Sequence, residues 1–183
     1  METIAMKGEP RANVHLDVAL LENIYCQYHK NVYNYICFRI NNHDDAQELA
    51  QTVFEKVINR WNSYNSAYAV EGWLIGIAKN TVTDYLRAKK RRPLVPLGSD
   101  CEQRISPAKQ PEEIAVRNEE NRALIAAMAQ LKDVERQVLS MKFATDLKHR
   151  EIAEILGISE SGAGVIVHRA LKKLRKIMEV DGI

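Results

Sequence analysis

The sequence has few residues that interrupt helices. Its 183 residues include 8 glycines and 5 prolines, and its long segments show no β-branched alternation, so we expect a mostly helical fold. A composition of 46% hydrophobic and 27% charged residues suits folded domains rather than a disordered tail. The chain also lacks the roughly 18 uninterrupted apolar residues of a membrane span, and residues 1–14 contain no apolar signal core. These absences predict a cytoplasmic protein without membrane insertion.

The residues that build disulfides, metal sites and catalytic centres are also sparse. Cys26, Cys37 and Cys101 form neither an even disulfide set nor a CxxC spacing, so we expect reduced thiols. The 5 histidines show no metal-ligand spacing, His149 and Glu154 do not complete an HExxH motif, and no glycine-rich phosphate loop follows a strand. The sequence therefore predicts no metal, no cofactor and no enzymatic activity.

The net charge of +2 hides a strongly uneven distribution. Residues 79–92 carry six basic side chains against one acidic, and residues 142–176 carry eight against four. Between them, residues 100–120 carry six acidic side chains against three basic. Two basic segments divided by an acidic one indicate two contacts with a polyanion, although either run alone could be a solvated helix face.

Apolar spacing of three or four residues predicts helices at about 16–40, 44–61 and 72–90. Asp44, with Gln47 three residues later, resembles the N-cap of the second helix. The segment 62–71 loses the helical period and is expected to be a loop. Four prolines within residues 93–111 predict an extended, flexible linker. We therefore expect an all-α chain of two small helical domains, 12–92 and 112–180, joined by the linker 93–111.

The second domain has a more specific pattern. Helices are expected at 116–131 and 134–143, and a short helix over His149–Leu156 follows. Gly157 breaks that helix, Ser159 is a candidate cap, and a longer helix over 160–178 comes next. A short helix, a glycine turn and a longer helix make up a helix-turn-helix, although a generic helical hairpin shares the periodicity.

The motifs resemble those of a known family. Residues 45–54, 72–80 and 84–87 resemble conserved region 2 of bacterial sigma factors of the extracytoplasmic-function (ECF) class of the sigma-70 family. Residues 151–159, followed by His168, Arg169, Ala170 and Leu174, resemble region 4.2 of the same family. The resemblance covers nearly the whole chain. It implies an alternative sigma factor that binds core RNA polymerase, recognises promoter DNA and promotes strand opening.

The resemblance assigns roles to region 2 residues. The second helix would present a polar face to the clamp helices of the polymerase β′ subunit, and region 4 would contact the β flap. The loop and third helix would capture flipped bases and bind phosphates of the minus-10 element, whereas Phe54 and Trp73 are expected in the core. The polymerase-binding candidates are Asp45, Glu48, Gln51, Thr52 and Lys56; the minus-10 candidates are Tyr64, Asn65, Ser66, Tyr68, Lys79, Asn80, Arg87, Lys89, Lys90, Arg91 and Arg92.

The longer helix over 160–178 is the recognition helix of the helix-turn-helix, and it departs from the family pattern. Gly162 and Gly164 stand where the family places larger residues. Each glycine costs a helix about 1 kcal/mol relative to alanine, and neither has a side chain for base contact. Two alternatives remain open: readout partly by DNA shape with close backbone approach, or minus-35 recognition that is degenerate or assisted by another protein. The minus-35 candidates are Lys148, Arg150, Ser159, Glu160, Ser161, Val165, His168, Arg169, Lys172 and Lys173.

A rival hypothesis is a helix-turn-helix regulator or polymerase adaptor that does not itself direct initiation. A structural helical protein without a nucleic-acid role is a more remote third hypothesis. The family resemblance also implies control by an anti-sigma factor.

Overall fold

The computed structural model describes residues 16–66, 68–91 and 122–180, and within these residues the chain is helical and contains no strand. The prediction of an all-helical fold is confirmed. Arg92, the linker 93–111 and the start of the helix expected at 116 lie outside the described residues. No helix in the described ranges has the length and apolar character needed to cross a membrane. The helices are α1 (Val18–Ile40), α2 (His43–Arg60), α3 (Val70–Arg91), α4 (122–129), α5 (Asp133–Ala144), α6 (His149–Leu156) and α7 (Glu160–Val180), with a 3₁₀ turn at Trp61–Ser63.

Polar side chains fix the ends of the first two helices. The Asp17 carboxylate accepts a hydrogen bond from the Leu20 N–H at 2.7 Å and caps α1. Asn41 takes the left-handed conformation at φ 52° and ends that helix. The cap of α2 is then Asn42, which accepts from the Asp45 N–H at 2.9 Å. The prediction of Asp44 as the cap was wrong by two residues, because the turn after Asn41 is shorter than the sequence indicated.

Helices α1, α2 and α3 pack around a common apolar core. Its fully buried residues come from all three helices and include Val32, Ile36, Val53, Leu74 and Ile75. Each such side chain contributes about 1.5–3 kcal/mol when removed from water. Tyr25 of α1 lies at the edge of this core and is 45% exposed.

Helices α4 to α7 form the second helical group. Glu135 and Glu151 each sit three residues inside a helix and accept a hydrogen bond from the N-cap backbone N–H, that of Lys132 for α5 and that of Lys148 for α6. Gly157 ends α6 in the left-handed conformation at φ 68°, as the glycine turn required. Helices α6 and α7 therefore make the predicted helix-turn-helix.

The two helical groups pack against each other. Helix α1 lies against α5, and α3 lies against α6. Buried residues of both groups belong to one continuous apolar cluster. The described part of the chain thus has a closed arrangement, which the spacing of apolar residues along the sequence does not indicate.

Candidate nucleic-acid interface

Helix α2 carries an exposed polar face. Glu48 and Gln51 lie one turn apart and are exposed, and Thr52 beside them is half-buried, with its hydroxyl donating to the Glu48 carbonyl at 3.0 Å. The same face continues to Glu55 and Ile58, and Ile58 is 48% exposed. Sequence reasoning missed these last two residues, although their spacing of four and seven from Gln51 places them on the same side of the helix.

Two other predicted polymerase contacts face the third helix instead. The Asp45 carboxylate accepts a hydrogen bond from the Tyr85 hydroxyl and forms an ion pair with Lys89 at 3.6 Å. Lys56 donates from Nζ to the Thr81 hydroxyl at 3.0 Å. The structure therefore uses Asp45 and Lys56 to tie α2 to α3, and it does not bring them together with Glu48 and Gln51 on the open face.

A shallow apolar groove of about 450 Å³ lies beside the open face of α2. Tyr25 and Cys26 of α1 form one wall, and Phe54 and Ile58 of α2 form the other. The rings of Tyr25 and Phe54 are 4.8 Å apart. Phe54 itself is 5% exposed, as expected for a core residue. Exposed apolar surface beside polar groups is typical of a protein interface.

Three aromatic rings meet between the 3₁₀ turn and α3. Tyr64 lies 5.0 Å from Trp61 and 5.2 Å from Trp73, measured between ring centroids. Its hydroxyl donates to the Tyr68 carbonyl at 2.7 Å, and burial raises its pKa. Trp73 packs against the hydrophobic core, as expected. Tyr64 is thus engaged within its own domain. The four predicted base-capturing residues are all half-exposed: Tyr64, Asn65, Ser66 and Tyr68.

The end of α3 provides an exposed basic surface. Arg87, Lys89, Lys90 and Arg91 are exposed over its last turns, although Lys89 is also bound to Asp45 and Tyr85, and Arg87 lies 3.9 Å from Asp84. Asn80 is exposed as well.

Lys79, the first residue of the predicted phosphate-binding set, occupies a different environment. Its Nζ donates to the Ile155 carbonyl of α6 at 3.0 Å, and burial lowers its pKa. In the closed arrangement Lys79 is therefore directed at the second helical group and does not lie with the basic residues at the end of α3.

The recognition helix α7 begins with a tight cap. The Ser159 hydroxyl accepts a hydrogen bond from the Gly162 N–H at 3.1 Å. A Cβ atom at residue 162 would lie 2.9 Å from that hydroxyl oxygen, whereas one at Gly164 would lie 3.7 Å from Nδ1 of His149. Gly162 thus leaves room for the cap, and Gly164 faces the preceding helix. Neither role was visible in the sequence.

Most of the predicted minus-35 side chains lie on the open side of the helix-turn-helix. Two residues are engaged elsewhere: Lys173 pairs with Glu135 at 3.1 Å, and Arg150 pairs with Glu154 at 3.1 Å while remaining exposed. The hydrogen bond from the Lys132 N–H is the main cause of a lowered Glu135 pKa, and Lys173 adds to it. The exposed residues are Lys148, Ser159, Glu160, Ser161, Val165, His168, Arg169 and Lys172.

Comparison with known proteins identifies both helical groups. The family model described as Sigma-70 region 2 matches residues 24–92, and the model described as Sigma-70, region 4 matches residues 121–174. The RNA polymerase sigma factor YlaC of Bacillus subtilis is 30% identical over 158 residues, which cover 86% of this chain and 91% of the relative. The ECF RNA polymerase sigma factor SigX of the same organism is 28% identical over 160 residues, covering 86% and 82%.

Solved structures share the fold. CnrH in complex with the cytosolic domain of CnrY has a TM-score of 0.68 at 17% identity, covering 90% of this chain and 91% of that one. The sigma factor RpoE in complex with the anti-sigma factor NepR, from Bartonella quintana, also has a TM-score of 0.68, at 16% identity, covering 90% and 99%. At these identities the likeness concerns the fold alone. Taken with the two family models and the curated relatives, the helical architecture and the helix-turn-helix show that this chain belongs to the sigma-70 family, as an alternative sigma factor of the ECF class.

Proposed function

We propose that the open face of α2 is where this sigma factor binds the β′ clamp helices of core RNA polymerase. The observation that supports this proposal is the exposure of Glu48 and Gln51. They lie on a helix that Asp45 and Lys56 anchor to α3. An anchored helix presents its free polar side chains in a fixed geometry, which lowers the entropic cost of binding. Thr52 lies beside them, and the apolar groove at Tyr25 and Ile58 extends the same surface.

We further propose that the basic end of α3 binds backbone phosphates of the minus-10 element. Lys90 and Arg91 would supply register and affinity, while the half-exposed Asn65, Ser66 and Tyr68 would hold a base that leaves the stack. The nucleotide-adding chemistry belongs to core polymerase, and this chain contributes binding energy for promoter choice and strand opening.

For the minus-35 element, we propose that α7 enters the major groove with Val165, His168 and Arg169 foremost, and that region 4 also contacts the β flap. The exposed apolar surface of Val165 suits a thymine methyl group, and Arg169 and Lys172 suit phosphates. Gly162 faces the Ser159 cap, and Gly164 faces His149. The surface of α7 that would read bases therefore begins after Gly164, whereas larger residues at these two positions would allow it to begin earlier.

We also propose a cytoplasmic protein controlled by an anti-sigma factor. Two relatives of the same fold, CnrH and RpoE, were solved in complex with partner proteins, and RpoE's partner is named an anti-sigma factor. The exposed groove between α1 and α2 is the apolar surface that such a partner would cover.

The deciding experiment is transcription of the source genome by core polymerase with and without the full chain, followed by mapping of transcript 5′ ends. New starts that require the protein, with a shared upstream element, are the expected result. Glu48→Lys should reduce these starts about tenfold or more, because it reverses a charge at the proposed interface. Glu179→Lys, an equal charge change at the end of α7, should leave them unchanged.

The outcomes separate the hypotheses. No new starts, with binding to core polymerase retained, would support the adaptor instead. An undiminished yield with Glu48→Lys would refute the proposed α2 interface while leaving the sigma function intact.

A further inference from the structure

A hydrogen-bonded network of three side chains links the start of α2 to the end of α3. The Tyr85 hydroxyl donates to Oδ2 of Asp45, and Nζ of Lys89 donates to the Tyr85 hydroxyl at 2.9 Å. Lys89 follows Tyr85 by four residues, so the two side chains lie on the same face of α3. The hydroxyl therefore stands between a carboxylate and an ammonium group and bonds to both.

The hydroxyl keeps the two charges out of direct contact. Nζ of Lys89 lies 3.6 Å from Oδ2 of Asp45, whereas a direct charge-assisted hydrogen bond is about 2.7–2.9 Å long. Burial is the main cause of a raised Tyr85 pKa, and the hydrogen bond to Asp45 adds to it, so the hydroxyl keeps its proton. The hydrogen bond to Tyr85 is the main cause of a raised Lys89 pKa, so the ammonium group keeps its charge.

Asp45 gives this network a fixed end. It lies in the first turn of α2, where the helix dipole favours a carboxylate, and its N–H donates to the Asn42 side chain that caps the helix. The Asp45 side chain is 33% exposed, whereas that of Lys89 is 53% exposed. The network thus runs from a largely covered carboxylate to an ammonium group that is half open to solvent.

The open end of the network lies within the exposed basic surface of α3. Lys90 and Arg91 are exposed beside Lys89. An ammonium group has three N–H donors, and Tyr85 accepts from one of them, so the others are free to bind a phosphate oxygen. A lysine that is already held in place also loses less rotamer freedom when it binds.

Resting on the proposed binding of the minus-10 element by the end of α3, we propose that Tyr85 is a positioning residue, whose hydroxyl holds the Lys89 ammonium group where it binds a backbone phosphate. Without the hydroxyl, Lys89 moves onto Asp45 in a direct ion pair, and its charge is neutralised within the protein. The Tyr85 hydroxyl therefore decides whether Lys89 contributes to DNA binding.

The test uses the full chain carrying Tyr85→Phe, which removes the hydroxyl and keeps the ring. Tyr33→Phe is the matched control, because Tyr33 is also a half-buried tyrosine of the first helical group but lies on α1 beside Cys37. Each variant is assembled with core polymerase, and binding to core polymerase serves as the check of folding. Anisotropy titrations at several salt concentrations then measure binding of holoenzyme to a fluorescein-labelled duplex of random sequence with a central unpaired bubble.

We expect Tyr85→Phe to weaken DNA binding about fivefold and to reduce the salt slope by about 1, the value for one lost phosphate contact. Lys89→Ala should do the same, and the double variant should be no weaker than either single variant. Adding Asp45→Asn to Tyr85→Phe should restore most of the affinity and the slope, because the charge that captures Lys89 is then removed. Tyr33→Phe should equal the wild type.

The remaining outcomes separate this proposal from the one on which it rests. Additive losses in Tyr85→Phe and Lys89→Ala, or no rescue by Asp45→Asn, overturn the positioning role. An unchanged slope in Lys89→Ala, together with a reduced slope in Arg91→Ala, overturns it while leaving phosphate binding by α3 intact. If Lys89→Ala, Lys90→Ala and Arg91→Ala all leave the slope unchanged, the proposed DNA-binding function of α3 fails, and the positioning role fails with it.

Discussion

Replacing Gly162 and Gly164 of α7 by alanine, one at a time, should change the free energy of unfolding by different amounts, although both substitutions add the same methyl group. In a helix interior the exchange stabilises by about 1 kcal/mol. At Gly164 the new methyl group would lie 3.7 Å from His149, an ordinary contact, so Gly164→Ala should raise the free energy of unfolding by about 0.5–1 kcal/mol. At Gly162 it would lie 2.9 Å from the Ser159 hydroxyl, and the cap must move. Loss of a cap costs about 1 kcal/mol, so Gly162→Ala should be neutral or slightly destabilising.

Urea denaturation of the full chain, followed by circular dichroism at 222 nm, measures both values. The cap is tested by repeating Gly162→Ala in a Ser159→Ala background, where no cap remains to be lost. In that background Gly162→Ala should raise the free energy of unfolding by the full helix-propensity difference, which gives a coupling energy of about 1 kcal/mol between residues 159 and 162. Equal stabilisation by both single substitutions, or additivity of Ser159→Ala and Gly162→Ala, would refute this account of the two glycines.

Four further outcomes follow from the structure. Gly157→Ala should lower the free energy of unfolding by about 1 kcal/mol, measured by urea denaturation, because residue 157 has a positive φ. Trp61→Ala should cost about 3–5 kcal/mol in the same assay, since Trp61 is 5% exposed. Because the pKa of Glu135 is lower in the folded protein than its usual value of about 4.3, the ionised carboxylate stabilises the fold above pH 4.3. This stabilisation is lost as the pH falls through the pKa of the folded protein. The melting temperature of Glu135→Gln should therefore depend less on pH over that acid range than the melting temperature of the wild type. Arg169→Ala should weaken DNA binding by holoenzyme across sequences and reduce its salt slope by about 1, measured by anisotropy titrations at several salt concentrations.

Helix type and position were readable from the sequence because they depend on local spacing. The glycine turn at Gly157 and the Ser159 cap act over a few residues, and both were predicted. Prediction from local spacing failed at the N-cap of α2, which is Asn42 and not the predicted Asp44. The position of this cap depends on where Asn41 turns the chain.

The fate of individual polar side chains was less predictable, because it depends on neighbours far along the sequence. Periodicity places Lys56 and Lys79 away from the apolar stripe, but it gives no sign that Thr81 and Ile155 will accept their hydrogen bonds. Arg39 is the strongest example. A charged residue at the end of an amphipathic helix is ordinarily exposed, and its burial is caused by α5, 94 residues away.

The aromatic cluster beside α3 makes the protein its own optical reporter. Both tryptophans of the chain, Trp61 and Trp73, lie there with their rings 5.8 Å apart, and Tyr64 contacts each of them. Indole emission from the entire chain therefore originates at the one corner that adjoins the proposed base-capturing segment. A change in that emission when single-stranded promoter DNA is added would follow strand capture in real time, without any attached dye.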